Sequence, residues 1–88
     1  MADYSITFAR SARKEFENLP EKDAARILEK IESLAYNPRA PGAVKLHGHK
    51  NLYRIRAGDY RVIYAINDTL KTVDVSVIRH RRDVYRDF

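Results

Sequence analysis

Arg54, Arg56 and Arg61 are the residues of this chain whose type and spacing point most directly to chemistry. They sit in Leu52-Tyr53-Arg54-Ile55-Arg56 and Tyr60-Arg61-Val62-Ile63-Tyr64, two segments that alternate as half-buried strands do, with Gly58-Asp59 between them as a two-residue hairpin turn, glycine first. In that register Arg56 falls opposite Arg61 and Arg54 points to the same side, while Tyr53, Ile55, Val62 and Tyr64 point to a core. Like charges directly opposite on a sheet are destabilising. An anion between them would reverse the sign of that interaction; the plainer alternative is that Arg54 and Arg56 are merely solvated strand residues.

A second basic element closes the chain, Arg79-His80-Arg81-Arg82-Asp83-Val84-Tyr85. Following the last strand directly, it is expected at the rim of the sheet, within reach of the arginine face. Arginine suits bidentate phosphate contacts, and a nearby aromatic offers a stacking surface for an unpaired base. The net charge of +5 has a matching location: Lys/Arg and Asp/Glu balance up to Val44, and the whole excess lies from Lys45 onward. A basic surface on one part of a small domain reads as a phosphate footprint, with a solvated, solubilising surface as the bland alternative. RNA fits better than duplex DNA, because the one long helix is nearly charge-balanced and spends its apolar stripe on the core.

Other classes find little support. With no cysteine, the reducing cytoplasm is the natural setting. The longest apolar run, Val62 to Ile66, is far short of the ~20 residues a membrane span needs. Met1-Ala2-Asp3-Tyr4 has no basic region leading into an apolar stretch, so no signal peptide is expected. His47-Gly48-His49 with His80 could suggest a metal site, but no cysteine or ordered carboxylate cluster supports one, and no metal or cofactor is expected.

The elements that must position these residues are legible in outline. Tyr4 to Phe8 alternates as a short strand. Ser11 to Leu19 carries Ala12, Phe16 and Leu19 on one helical face, and Pro20 opens a second helix running to Tyr36, with Glu21 and Asp23 near its positive end. Its stripe is Ala24, Ile27, Leu28, Ile31, Leu34 and Ala35, and Asn37-Pro38 ends it. Arg39 to Asn51 reads as loop, with a brief strand at Val44 to Leu46. Thr72 to Ile78 alternates, with Val73, Val75 and Val77 on one face. The expectation is a single α+β domain over residues 1–88, with an N-terminal strand and a helical hairpin packed on one face of a three- to four-stranded antiparallel sheet. The other face, carrying Arg54, Arg56 and Arg61, stays open.

The order of elements, the hairpin from Leu52 to Tyr64 and the ending His80-Arg81-Arg82-Asp83-Val84-Tyr85 together resemble the RelE/ParE superfamily of bacterial and archaeal toxins, most closely its RelE branch. The resemblance spans essentially the whole chain, although only the second half is specific. It implies a toxin of a type II toxin–antitoxin pair that enters the ribosomal A site and cuts mRNA by 2′-hydroxyl attack, without a metal. It also implies an acidic cognate antitoxin that covers the arginine face, and it allows the toxin–antitoxin complex to bind operator DNA through the antitoxin.

Residue by residue, the resemblance assigns Arg61 and Arg81 to the transition state, with Arg79 as the alternative late arginine. Arg54 and Arg56 become the phosphate clamp, Arg79, Arg82 and Lys45 further RNA contacts, and Tyr85 a base-stacking or 2′-hydroxyl-orienting residue. Arg54 and Arg56 stand where lysines can occur in the family, and arginine's pKa above ~12 bars it from acting as a base. A base would then be His80, Tyr85, or the ribosome and water; histidine is the residue type that ordinarily changes charge near neutrality. Two other readings on this chain are a ParE-like inhibitor of DNA gyrase without nuclease activity and a catalytically silent RNA-binding module.

Overall fold

The computed structural model describes residues 3–82. The elements run β1 (Ser5–Phe8), α1 (Arg10–Glu17), α2 (Glu21–Ser33), β2 (Val44–Lys45), β3 (Leu52–Ala57), β4 (Tyr60–Asn67) and β5 (Thr72–His80). The strands form one five-stranded sheet in the order β1-β5-β4-β3-β2. The α+β expectation holds, but the sheet is larger than expected and mixed. β1 is not packed beside the helices; it pairs in parallel with β5, Ser5 opposite Thr72 through Phe8 opposite Val75. The hairpin turns announce the antiparallel neighbours locally, whereas a pairing across more than 60 residues leaves no local mark.

The two helices cover one face. Ala12 of α1 and Ile27, Ile31 and Leu34 on and just beyond α2 are fully buried against Ile55, Val62, Tyr64, Val73 and Val75. Each such aliphatic side chain contributes roughly 1.5–3 kcal/mol by leaving water. Phe8 and Phe16 pack with ring centroids 5.9 Å apart, which joins α1 to the end of β1. Pro20 precedes α2, and Glu21 and Asp23 in its first turn complement the helix dipole. The helix stops at Ser33, three residues short of Tyr36, where the Ser33 hydroxyl donates to the Lys30 carbonyl at 2.6 Å. Such back-bonding competes with helix continuation.

One irregularity changes what faces where. Tyr64 pairs with Val75 but Ile63 pairs with Val77, so Ser76 is an extra residue on β5. A bulge of this kind reverses the side-chain parity beyond it. Val77 therefore leaves the face of Val73 and Val75 and joins Ile63 on the arginine side, correcting the simple alternation. Ile78 takes its place in the core at 2% exposure.

Candidate nucleic-acid interface

The β3–β4 hairpin has the register its sequence implies. Ala57 pairs with Tyr60 across the Gly58-Asp59 turn, Arg56 with Arg61, and Arg54 with Ile63. Gly58 has φ of 62°, the positive value that a first-position glycine adopts in a type II′ turn. Beyond the Ser76 bulge, Arg79 pairs with Arg61 and His80 with Tyr60. Were Ser76 paired in the ladder rather than bulged out of it, Arg79 would fall opposite Tyr60 on the helical side. The Arg81 backbone N–H then donates to the Asp59 carbonyl at 2.7 Å, which ties the chain end to the hairpin turn.

These ties bring Arg56, Arg61, Arg81 and Arg82 to the walls of one open cleft of about 350 Å³. Ile63, between Arg54 and Val77 in the register, is 3% exposed and gives this face an apolar floor. The Arg61 Nε is buried and has no hydrogen-bond partner among the described residues. A buried donor left unpaired costs on the order of 1–3 kcal/mol. Arg54 is held below the usual arginine pKa, first by burial and then by the positive charges of Arg61 and Arg56. All three observations describe cations crowded together on one face of the sheet.

The two late arginines differ sharply. Arg79 turns its guanidinium to Glu15 of α1, with which it forms an ion pair, and donates to the Ile78 carbonyl at 3.4 Å. Glu15 also accepts the Ile78 backbone N–H at 3.0 Å, so one carboxylate satisfies both an edge-strand donor and a cation. Arg81 lies 3.9 Å from Asp59, and both side chains are about two-thirds exposed or more. An exposed pair at that distance holds weakly. Arg81, not Arg79, lines the cleft.

The remaining candidates scatter. His80 lies on the helical face, edge-on to the Tyr60 ring at 5.2 Å, with its Nδ1 accepting the Arg82 N–H at 3.3 Å; it is not brought to the cleft. Lys45 is exposed on β2 opposite Tyr53, across the sheet from the arginines by parity. Tyr85 lies outside the described residues. Sequence reasoning missed Glu15, whose role depends on a partner 63 residues away, and passed over Arg26 and Lys30 of α2, which border the cleft's far side beyond Arg56.

The family match settles the kinship. The family model described as "ParE toxin of type II toxin-antitoxin system, parDE" matches residues 6–85. The chain belongs to the RelE/ParE toxin superfamily. Among RelE-like toxins, it is 34% identical to Toxin RelE of Mycobacterium tuberculosis over 94% of this chain and 87% of that protein. Toxin RelG of the same organism is 30% identical over 94% of this chain and 97% of that one. The archaeal RelE–RelB complex from Pyrococcus horikoshii OT3 superposes with a TM-score of 0.80 at 32% identity, covering 90% of this chain and 96% of that one. No helix among the described residues of this RelE-like toxin is long and apolar enough to cross a membrane.

Proposed function

We propose that this RelE-like toxin is a ribosome-dependent mRNA endonuclease that cuts at the A site and stops translation. The observation that carries the reading is the cleft of Arg56, Arg61, Arg81 and Arg82, with the Arg61 Nε buried and unpartnered. A phosphodiester supplies the acceptor this site lacks.

In the reaction, the 2′-oxygen of one nucleotide bonds to the adjacent phosphorus and the P–O5′ bond breaks. The products are a 2′,3′-cyclic phosphate and a 5′-hydroxyl; the 2′-hydroxyl gives up a proton and the leaving O5′ takes one. Arg61 and Arg81 face the charge that develops on the phosphorane oxygens, and Arg54 and Arg56 hold the phosphate in line. A guanidinium cannot accept the 2′-hydroxyl proton. His80 is turned to Tyr60, so the proton goes to Tyr85 or to water and ribosomal groups around the bound mRNA. An acidic antitoxin that covers the arginine face keeps the toxin inactive, and the complex binds operator DNA through that antitoxin. All of this takes place in the cytoplasm.

In vitro translation with purified protein, followed by primer-extension mapping of mRNA ends, tests the reading. Cuts at A-site codons that require ribosomes and vanish in Arg61→Ala are expected. Intact mRNA under continuing translation would overturn it. The parDE description of the matching family favours one second reading, gyrase inhibition without cleavage. A supercoiling assay on the same preparations separates the two.

A further inference from the structure

Two cavities outside the cleft meet at Arg56. One, of about 530 Å³, lies between α2 and the β3–β4 turn and is lined by Arg26, Glu29, Lys30, Ser33, Arg56 and Gly58. The other follows the outer side of β3 and is lined by Lys30, Arg54, Arg56 and Val44, with the Pro41-Gly42 turn. Arg56 belongs to both and to the arginine cleft. A continuous cationic path thus runs from Arg61 and Arg81, over Arg56, to Lys30 and Arg26.

This path is not neutralised from within. Arg26 and Lys30 stand four residues apart on one helix face, where like charges repel. Neither side chain, nor that of Arg56, forms a hydrogen bond or ion pair with a described residue. Glu29, the one carboxylate in the lining, pairs with none of them. The backbone also makes room for the arrangement. A Cβ at Gly58 would stand 2.8 Å from the Arg26 Nη1, so glycine is the residue that lets this guanidinium lie against the turn. The hairpin turn and α2 together hold Arg26 next to Arg56.

We propose that Arg26 and Lys30, with Arg56, form a second phosphate subsite that takes the next part of the same RNA strand whose scissile phosphate sits in the cleft. The proposal rests on the RNA reading of that cleft and extends it to α2. A strand of RNA repeats its phosphates and can satisfy cations in succession, and fork-shaped guanidinium donors match phosphate oxygens. An acidic peptide would match the charge too, but the lining is dominated by charged and small groups and offers no deep apolar pocket to anchor a side chain.

The test uses the purified full chain and 2′-O-methyl oligoribonucleotides, which cannot be cut by 2′-hydroxyl attack. Fluorescence anisotropy compares a dinucleotide, which fills only the cleft, with a hexanucleotide, which reaches α2. Arg26→Gln/Lys30→Gln should weaken the hexanucleotide about tenfold and leave the dinucleotide unchanged. The slope of log affinity against log salt should fall by about 1.4, from roughly 0.7 for each single-strand phosphate that the protein no longer neutralises. Arg26→Glu/Lys30→Glu should weaken the hexanucleotide further. Both positions are exposed, and thermal melts would verify that the variants fold.

An unchanged hexanucleotide, while Arg61→Ala weakens it, would overturn the α2 subsite and leave the cleft reading standing. Arg61→Ala without effect on either oligonucleotide would overturn both. Equal weakening of dinucleotide and hexanucleotide would reduce the effect to general attraction and overturn the subsite. Ribosome affinity falling while the free hexanucleotide binds normally would reassign Arg26 and Lys30 to ribosomal RNA. Loss of polyglutamate binding alone would reassign the groove to an acidic protein.

Discussion

The two ends of the sheet use arginine in opposite ways. At one end each of the three guanidinium nitrogens of Arg39 has a partner. Its Nη atoms donate to both Asp68 carboxylate oxygens at 3.2 and 2.9 Å, and its Nε donates to the Tyr53 hydroxyl at 3.1 Å. The Tyr4 hydroxyl donates to the same carboxylate at 2.6 Å, and Tyr64 donates to the Pro38 carbonyl at 2.7 Å. This network pins the loop after α2 to the β4–β5 turn and to the start of β1. At the other end Arg54, Arg56 and Arg61 have neighbours of their own sign and no ion-paired carboxylate among the described residues. A cation whose three nitrogens all donate inside the fold is a fastener; one set beside its like attracts an anion from outside.

Breaking the contrast at its strongest point means Arg61→Ala. We expect cleavage to fall by about 10²–10³, the typical loss for one preorganised donor facing developing charge, with the melting temperature unchanged or raised. A folded variant that cuts normally would place the chemistry elsewhere. Arg81→Ala should cost less, about 10- to 100-fold, because water competes for an exposed guanidinium; primer extension would read both. Glu15→Ala acts on stability instead, by roughly 1–3 kcal/mol in urea unfolding, since the Ile78 N–H and Arg79 lose their shared acceptor. If it were neutral, the β5 edge would not need α1.

The fastened end should respond more weakly. Arg39→Ala is expected to cost about 1 kcal/mol or less, as a half-exposed pair does, and to leave cleavage untouched. Combined with Arg61→Ala, the effects should add, because the two sites share no partner. The smallest effect is in pH. Arg39 and Tyr4 hold the Asp68 carboxyl at about 2, below the ~3.9 of an unfolded aspartate. Its contribution is therefore present above pH ~4 and lost as pH falls towards 2. The stability gap between wild type and Asp68→Asn should narrow between pH 6 and pH 3; a constant gap would remove Asp68 from the network's energetics.

Much of this is legible in local pattern. The Gly58-Asp59 turn fixes the pairing of Arg56 with Arg61, and the Ile27, Ile31 and Leu34 spacing fixes the buried face of α2. What escapes is non-local or hidden in parity. Nothing near Ser5 tells that it pairs with Thr72, and nothing near Glu15 tells that it meets Arg79. Alternation through Thr72 to Ile78 looks unbroken because valine at 77 is as apolar as its neighbours, so the bulge leaves no trace in hydrophobicity. His80 reads as near the arginines for the same reason: one uncounted residue decides which side it takes.

That uncounted residue is also one the gene can spare. Losing the Ser76 codon in frame would keep every charged side chain, the composition of the core and nearly the full length of the product. Val77 would follow Val75 in an unbroken ladder, still opposite Ile63, with Ile78 still opposite Val62 and Arg79 opposite Arg61. Cells selected to survive the toxin without its antitoxin should therefore yield nonsense and arginine-replacement alleles but not in-frame loss of the Ser76 codon.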